Sequence, residues 1–210
     1  MSDWKDDIAA HLGEVIDLGD LPGPDREKLL LNTYRKNLKR HMIADGKWVP
    51  RSASVRVLDR EKERPKYHLV YLTSHPRGSI AFMEISEKLD LVQKHVRAST
   101  KENARAEKSG MSDMFDAAGY VNAEQGHANL IEVEQYWLKY LSGGTKRVGE
   151  EEFANLLEDT DWFPGDFQRG LGNLINAGKV RNLDAPRKRP KNPLHWRKEG
   201  ERLQLMEGSK

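Results

Sequence analysis

Cationic side chains are concentrated in one short proline-containing stretch, residues 179–196, "KVRNLDAPRKRPKNPLHW". This stretch holds six Lys or Arg residues and one Asp. Guanidinium and ammonium groups at this density can neutralise phosphates, and each neutralised phosphate releases counterions and steepens the salt dependence of binding. The candidate phosphate ligands are Lys179, Arg181, Arg187, Lys188, Arg189 and Lys191, with Arg197 and Lys198 as additions from a returning strand. The alternative is a solvated loop that is charged for solubility alone.

A helix-like pattern precedes the basic stretch and carries side chains that can read base edges. Gln168, Arg169 and Asn173 are of types that form bidentate contacts with bases in the major groove. Gly170 and Gly172 lower the helix propensity of the same segment, which weakens the case for sequence-specific reading. Contact with a protein is the alternative role of this helix.

His75 and Arg77 form a weaker candidate site in the sequence "SHPRG", between a predicted strand and a predicted helix. The backbone N–H groups that open the helix could hold an anion together with these side chains. The alternative is a tight turn in which Pro76 and Gly78 have steric roles. We favour the turn, because no second ligand group lies nearby in the sequence.

Patterns typical of catalytic and metal sites are missing from the sequence. None of the seven histidines belongs to a His-x-x-x-His or HExxH pattern, and neither a G-x-S-x-G elbow nor a P-loop occurs. The absence of cysteine excludes disulfides and thiolate zinc sites. The sequence therefore predicts no catalytic residue, no metal and no cofactor.

The near-neutral overall charge means that any binding of nucleic acid must depend on a local cluster of cationic side chains. The 210 residues carry a formal net charge of +2, so attraction of polyanions must come from clustering. The acidic N-terminal residues lack the apolar core of a signal peptide, and no apolar run approaches the roughly 18 residues that span a bilayer. We therefore expect a cytoplasmic protein without membrane association.

The first half of the sequence predicts helices around an antiparallel strand pair. Trp4, Ile8, Leu12 and Val15 recur at helical spacing, and a second helix follows Pro24. The segments "WVPRSASVRVL" and "YHLVYLTS" read as two antiparallel strands. The second strand is apolar on both sides, which predicts that it is covered on both faces.

A strongly amphipathic helix is predicted next, from about Ser79. Its apolar stripe consists of Phe82, Ile85, Leu89, Val92 and Val96. Residues 98–112 lack large apolar side chains, so we expect a frayed helix end and a linker.

The last third predicts three helices followed by a two-stranded element with a charged tip. The first of these helices shows Ile131, Leu138 and Leu141 at helical steps, and the third shows Phe167, Leu171, Leu174 and Ile175 facing inward. This order is typical of a winged helix-turn-helix, whose third helix can enter a major groove while the hairpin tip lies beside phosphates.

The predicted fold class is α+β: a partial α/β layer with an antiparallel strand pair and helices, followed by a winged helix-turn-helix domain. The predicted division is residues 1–98, a linker at 99–128, and the winged helix-turn-helix at 129–210.

Three segments resemble a known family. "LLLNTYRKNLKR", "YHLVYLTSHPRGSIAFMEI" and "NLINAGKVRNLDAPRKRPKNPLHW" resemble the C-terminal half of the three-Cys-motif partner proteins, including their GMT-like winged-helix domain. The resemblance covers roughly residues 25–98 and 130–205. It implies a methyltransferase-like N-terminal half that binds S-adenosylmethionine, but here no strand precedes a G-x-G pattern. The resemblance thus implies that a partner supplies the Rossmann-type half or that the activity is lost.

We therefore expect an accessory nucleic-acid-binding protein. The winged helix would contact duplex DNA, or structured RNA, while the α/β part docks on a partner. Two alternatives remain open. One is a subunit that completes a split S-adenosylmethionine-dependent methyltransferase. The other is a protein–protein adaptor in a defence or modification system, with the helix at residues 79–97 as its docking surface.

Overall fold

A computed structural model describes residues 20–42, 49–59, 64–109, 128–185, 187, 189 and 191–206. Within these residues the fold is α+β, as predicted. The helices are α1 Gly23–His41, α2 Pro76–Ser109, α3 Leu130–Leu141, α4 Glu150–Thr160 and α5 Pro164–Asn176; the strands are β1 Arg51–Leu58, β2 Pro65–Thr73, β3 Lys146–Val148, β4 Val180–Asn182 and β5 Glu201–Leu205. The helix predicted over residues 4–15 lies outside the described residues.

Strands β1 and β2 form an antiparallel hairpin with one helix on each face. Val55 pairs with Leu69 in the ladder. Arg35 of α1 reaches Ser52 on one face, with 3.0 Å between the guanidinium Nε and the hydroxyl Oγ. On the other face the ring of Phe82 in α2 stacks on Tyr71, with the ring centroids 4.8 Å apart. Helices α1 and α2 therefore cover opposite faces of the hairpin.

The prediction that the second strand is covered on both faces is wrong. Strand β1 has that environment, since its residues 51–55 are all buried. In β2 the side chains of Tyr67 and Leu69 are 54% and 47% exposed. The reason is position: β2 is the outer strand of the hairpin, and α2 leaves part of it uncovered.

Most of the apolar stripe of α2 points away from the core. The helix buries Ile80 and Met83, whereas Ile85 is 65% exposed. Leu89, Val92 and Val96 are also exposed. The helix continues to Ser109, through residues for which the sequence predicts a frayed helix end and a linker. The last turns of this helix are thus helical although their sequence contains no large apolar residue.

The second part of the molecule packs three helices against a three-stranded antiparallel sheet. The strand order is β3-β5-β4. The ring of Phe167 lies at the centre of the core and meets Trp137 edge-on at a centroid distance of 5.6 Å. As predicted, Leu171 and Leu174 of α5 point inward. Edge-to-face aromatic pairs of this kind stabilise a core beyond the area that they bury.

The buried stripe of α3 differs from the prediction. Val133, Trp137 and Leu141 are fully buried, whereas Ile131 is 65% exposed. Trp137 decides the orientation, because its indole N–H donates to the carbonyl of Phe167 at 3.0 Å and this bond requires the ring to point inward.

A polar seam joins the two parts of the molecule. Arg35 of α1 forms an ion pair of 2.5 Å with Asp161, directly after α4. Arg51 at the start of β1 contacts Glu151 and Asn155 of α4. The backbone N–H groups of Ser52 and Ser54 donate to the carboxylates of Glu158 and Asp161, so α4 covers the outer edge of β1.

None of the helices in the described residues combines the length and the apolar character that crossing a membrane requires.

Candidate nucleic-acid interface

Helix α5 begins inside the molecule rather than at its surface. The amide of Phe163 donates to the carboxylate of Asp166 at 3.1 Å, which caps the first turn. The amide of Gly165 donates to Glu87 of α2 at 3.2 Å. Burial raises the pKa of Glu87, although the bond from Gly165 opposes that shift. Because α2 covers the first turn of α5, base edges cannot approach that turn without repacking.

Gln168 holds the segment between β4 and β5 in place. Its side chain is 6% exposed. The amide nitrogen donates to the carbonyl of Leu194 at 2.8 Å, and the amide oxygen accepts from the Leu194 N–H at 3.1 Å. Both polar ends of the side chain therefore have internal partners. We leave Gln168 out of the proposed interface for this reason.

The other two candidate base readers also have partners within the chain. Arg169 pairs with the buried carboxylate of Asp166 at 2.5 Å. Asn173 is exposed, but its amide donates to Glu134 of α3 at 2.8 Å. The exposed surface of α5 is thus confined to its C-terminal half, where base reading would compete with these contacts.

Glu201 organises the segment of residues 183–200, which we call the wing. Its carboxylate accepts from the side chains of Asn182 and Arg189 and from the backbone N–H of His195, at 2.8–2.9 Å. Burial alone would raise the pKa of Glu201, but these hydrogen bonds outweigh it and the pKa lies below its ordinary value. One carboxylate therefore ties both ends of the wing to β5.

A second ion pair closes the base of the wing. The guanidinium of Arg202 forms a bond of 2.7 Å with the carboxylate of Asp184. The hydrogen bonds from Arg202 lower the pKa of Asp184 to about 2. Next to this pair, Gly200 adopts a φ of 69°, and a Cβ there would collide with the backbone at Val148 and Gly149. The turn into β5 thus needs glycine, both for the positive φ and for the lack of space for a Cβ.

Most of the predicted phosphate ligands are exposed on or beside the wing. Together with the two added cations they form a set that we call the wing cations: Lys179, Arg181, Arg187, Lys191, Arg197 and Lys198, all exposed. None of the six forms an ion pair with a carboxylate in the described part of the chain. Arg189 differs, because it pairs with Glu201 at 2.7 Å. Lys188 lies outside the described residues.

A groove between the C-terminal half of α5 and the wing brings some of these residues together. Asn176 lies on its helical side, and Arg181 and Arg187 lie on its other side. Arg189 also lines the groove but is paired with Glu201. The other two guanidinium groups and the Asn176 amide suit a phosphate chain, because guanidinium groups bind phosphate oxygens in a bidentate manner.

The weaker candidate site at His75 and Arg77 has the contacts of a self-contained turn. The amide of Arg77 donates to Nδ1 of His75 at 3.1 Å, and the Arg77 guanidinium pairs with Glu150 at 2.8 Å. A Cβ at Gly78 would lie 2.7 Å from Oγ1 of Thr73, so glycine is needed for the close approach. These contacts agree with the steric explanation of "HPRG".

No sequence pattern predicts the residues that shape the wing. Asp184 is an isolated acid in a basic region, Glu201 lies two residues after Glu199, and no spacing pattern marks either of them. The one available signal is charge itself, because a carboxylate within a cationic segment is an expected ion-pair partner. The described residues contain no group of three His, Asp or Glu side chains that could hold a metal ion.

In comparisons with known protein families, with characterised proteins and with solved structures, no match to the chain was found. The resemblance to the three-Cys-motif partner proteins therefore stays a prediction.

Proposed function

We propose that residues 130–206 form a winged helix-turn-helix that binds nucleic-acid duplex, principally DNA, through the phosphate backbone. The element order α3-β3-α4-α5-β4-β5, with β5 between β3 and β4, supports this assignment. Structured RNA is the alternative ligand of the same surface, because its phosphates offer the same charge.

The exposure of the six wing cations is the observation that carries the proposal. Long cationic side chains that form no ion pair within the described residues lose little when they bind, since none of those residues' ion pairs has to break first. Of the acids beside them, Asp184 and Glu201 are already neutralised by Arg202 and Arg189, and Glu199 is exposed. The surface that faces a ligand is thus more positive than the sequence total of +2 suggests.

The contacts favour phosphate binding over base reading. Gln168 and Arg169 have internal partners, and the first turn of α5 is covered by α2. Contacts to phosphates fix the position of a protein on a duplex but carry no sequence information. We therefore expect similar affinity for duplexes of unrelated sequence.

Charge reversal on the wing tests the proposal. In the full chain, Lys179→Glu, Arg181→Glu and Lys191→Glu are combined, and binding to a fluorescent duplex is followed by anisotropy. Affinity should fall at least about tenfold, and the slope of log K against log salt should shrink by about 2–3, because each lost phosphate contact removes about 0.9 from the slope.

A matched control separates this local effect from a change in net charge. Lys28, Lys36 and Arg40 are exposed on α1, in the other part of the molecule. Their combined replacement by Glu makes the same change in net charge. Equal losses of affinity in the two triple variants would overturn the assignment of the interface to the wing.

A protein–protein adaptor is the second candidate, and the exposed apolar side chains of β2 and α2 favour it. In that case the wing reversal leaves function in the cell unchanged, whereas polar substitutions on the apolar surface abolish it. Completion of a split methyltransferase rests on the resemblance alone. Isothermal titration with S-adenosylmethionine, with and without a Rossmann-type partner, tests that possibility.

A further inference from the structure

Strand β2 and helix α2 together present a continuous apolar surface. We call it the apolar face, formed by Tyr67, Leu69, Tyr71, Ile85, Leu89 and Val92, all between 37% and 65% exposed. The stacking of Phe82 on Tyr71 connects the helical side chains to those of the strand. Exposed apolar surfaces of this kind mark sites of association.

The outer edge of β2 is the second unusual feature. The hairpin has two edges, and α4 covers that of β1 by accepting hydrogen bonds from Ser52 and Ser54. In the part of the chain that the structure describes, no strand pairs with the other edge. Strand β2 is nine residues long. An edge strand of this length offers unpaired backbone groups to a further strand.

We propose that a second copy of this chain covers the apolar face, by antiparallel pairing of β2 with β2 about a two-fold axis at Leu69. The result is a four-stranded sheet in the order β1-β2-β2-β1. Such an interface is self-complementary, as a two-fold dimer requires.

The sequence of β2 suits pairing with itself. With Leu69 on the axis, Tyr67 of one copy lies opposite Tyr71 of the other on the apolar face. On the opposite face Lys66 meets Leu72, and His68 meets Val70. No like charges oppose each other, and aromatic pairs directly across two antiparallel strands are favourable.

The dimensions of the sheet also bring the two α2 helices together. Helix α2 lies over both strands, since it buries Ala53 and Val55 of β1 and stacks on Tyr71 of β2. Neighbouring strands are about 4.8 Å apart, so helices over adjacent hairpins are about 10 Å apart. Packed helices have interaxial distances of about 8–10 Å. Pairing of the two β2 strands would therefore also bring the exposed apolar side chains of one α2 helix against those of the other.

Residues 1–19 are the competing occupant, because their apolar spacing predicts a helix that could cover the same face within one chain. The choice of a second copy rests on the edge of β2 that no strand of the described residues pairs with, since a helix cannot satisfy the hydrogen bonds of that edge, whereas a strand can. Pairing of copies requires no nucleic acid, so it can fail while the proposed function holds.

Self-association of the full chain tests the proposal by sedimentation equilibrium without nucleic acid. The chain should dimerise, and Ile85→Lys should weaken the dimer at least about tenfold, which is about 1.4 kcal/mol of association free energy. Ile131→Lys is the matched control, because Ile131 on α3 is equally exposed at 65% and lies outside the apolar face. It should leave the dimer unchanged.

Disulfide trapping tests the register. The chain contains no cysteine, so Leu69→Cys introduces a single thiol. Facing residues of paired antiparallel strands bring their Cβ atoms to about 5 Å, within reach of a disulfide after a small adjustment. Mild oxidation should give covalent dimers of Leu69→Cys and none of Ile131→Cys.

Three outcomes would overturn the proposal. The first is a full chain that remains monomeric up to about 100 μM, where even a weak dimer of about 10 μM affinity would be mostly associated. The second is a chain that dimerises only after residues 1–19 are removed, which would make those residues the occupant. The third is a dimer that weakens equally in Ile85→Lys and Ile131→Lys.

Discussion

The carboxylate of Glu201 bonds to three points in and beside the wing. It bonds Asn182 at the end of β4, Arg189 within the wing and His195 on the returning segment. The wing cations do not hold the wing in place; the bonds to Glu201 do, together with those to Gln168 and Asp184. The residues that shape the proposed interface and the residues that bind through it are therefore different.

We predict that Glu201→Gln loosens the wing and changes its response to acid. The pKa of Glu201 lies below its unfolded value, so its contribution to stability is present above that value and is lost as the pH falls through the folded pKa. The hydrogen-exchange protection factors of residues 183–200, which correct for the intrinsic exchange rate at each pH, should fall in acid in the wild type. In Glu201→Gln the protection factors should be low already at pH 7 and depend less on pH. Equal protection of the two proteins at pH 7 would contradict this role.

Two arginines of the wing should respond differently to substitution. Arg187 is exposed, whereas Arg189 is partly buried and paired with Glu201. Arg187→Ala should weaken duplex binding and leave thermal stability unchanged. Arg189→Ala should lower stability by about 1–2 kcal/mol, because it removes a charge-assisted hydrogen bond from a partly buried carboxylate. Anisotropy and thermal melts distinguish the two effects, and a reversed pattern would contradict the assignment.

At the scale of elements, the seam between α1, β1 and α4 joins the two parts of the molecule. The side chain of Arg35 is 6% exposed and binds Asp161, Ser52 and Ser54. Burial raises the pKa of Asp161, while the ion pair with Arg35 and the bonds with Ser54 oppose that shift. The ion pair with Arg35 is the largest of the interactions that favour the charged form of Asp161, so the charged carboxylate depends on Arg35.

Arg35→Met should therefore destabilise the fold strongly. We expect a loss of roughly 2 kcal/mol at pH 7, because the substitution leaves the half-buried carboxylate of Asp161, whose side chain is 28% exposed, without its cation. Arg40→Met on the exposed side of the same helix is the control and should change stability by less than about 0.5 kcal/mol. Urea titrations measure both, and equal effects would show that the ion pair contributes little.

The effect of Arg35→Met should also shrink in acid. The folded pKa of Asp161 lies above its unfolded value, so protonation favours the folded state as the pH falls through the folded pKa. Without Arg35 that pKa rises further, and protonation then relieves the uncompensated charge. The difference in unfolding free energy between wild type and Arg35→Met should be smaller at pH 5 than at pH 7, as urea titrations at both values would measure.

The sequence predicted these elements better than it predicted their orientation. Each helix and strand of the described residues was expected except β3, and α2 is longer than expected. Periodicity identifies which residues share a face, but only tertiary packing decides which face is buried. Ile85 and Ile131 belong to real stripes and yet lie at the surface, because Met83 and Val133 occupy the core instead. The same limit applies to Tyr67 and Leu69 in β2.

The sequence predicted those features of the candidate site that follow from the clustering of cationic residues. It did not predict those that depend on contacts between residues distant in the sequence. Clustering of Lys179, Arg181, Arg187 and Lys191 follows directly from the sequence, and all four are exposed. The internal bonds of Gln168 to Leu194 depend on where the wing returns, which is a contact between residues 26 positions apart. Local sequence carries no signal for a contact of that kind.

At the scale of the whole molecule, the seam joins the hairpin part to the wing part. A dimer through β2 would therefore carry two wings. Binding of one duplex by both wings would raise the number of phosphate contacts and steepen the salt dependence accordingly. Ile85→Lys should then reduce the slope of log K against log salt toward the monomer value, although Ile85 lies outside the proposed interface.

The salt dependence of duplex binding by the full chain tests the central claim most directly. Anisotropy titrations with two duplexes of unrelated sequence should give similar micromolar affinities at about 50 mM salt. The slope of log K against log salt should be about −4.5 to −5.4 for each wing, as five or six phosphate contacts require. Affinity no better than about 1 mM under these conditions, far weaker than ordinary non-specific binding, would contradict the account.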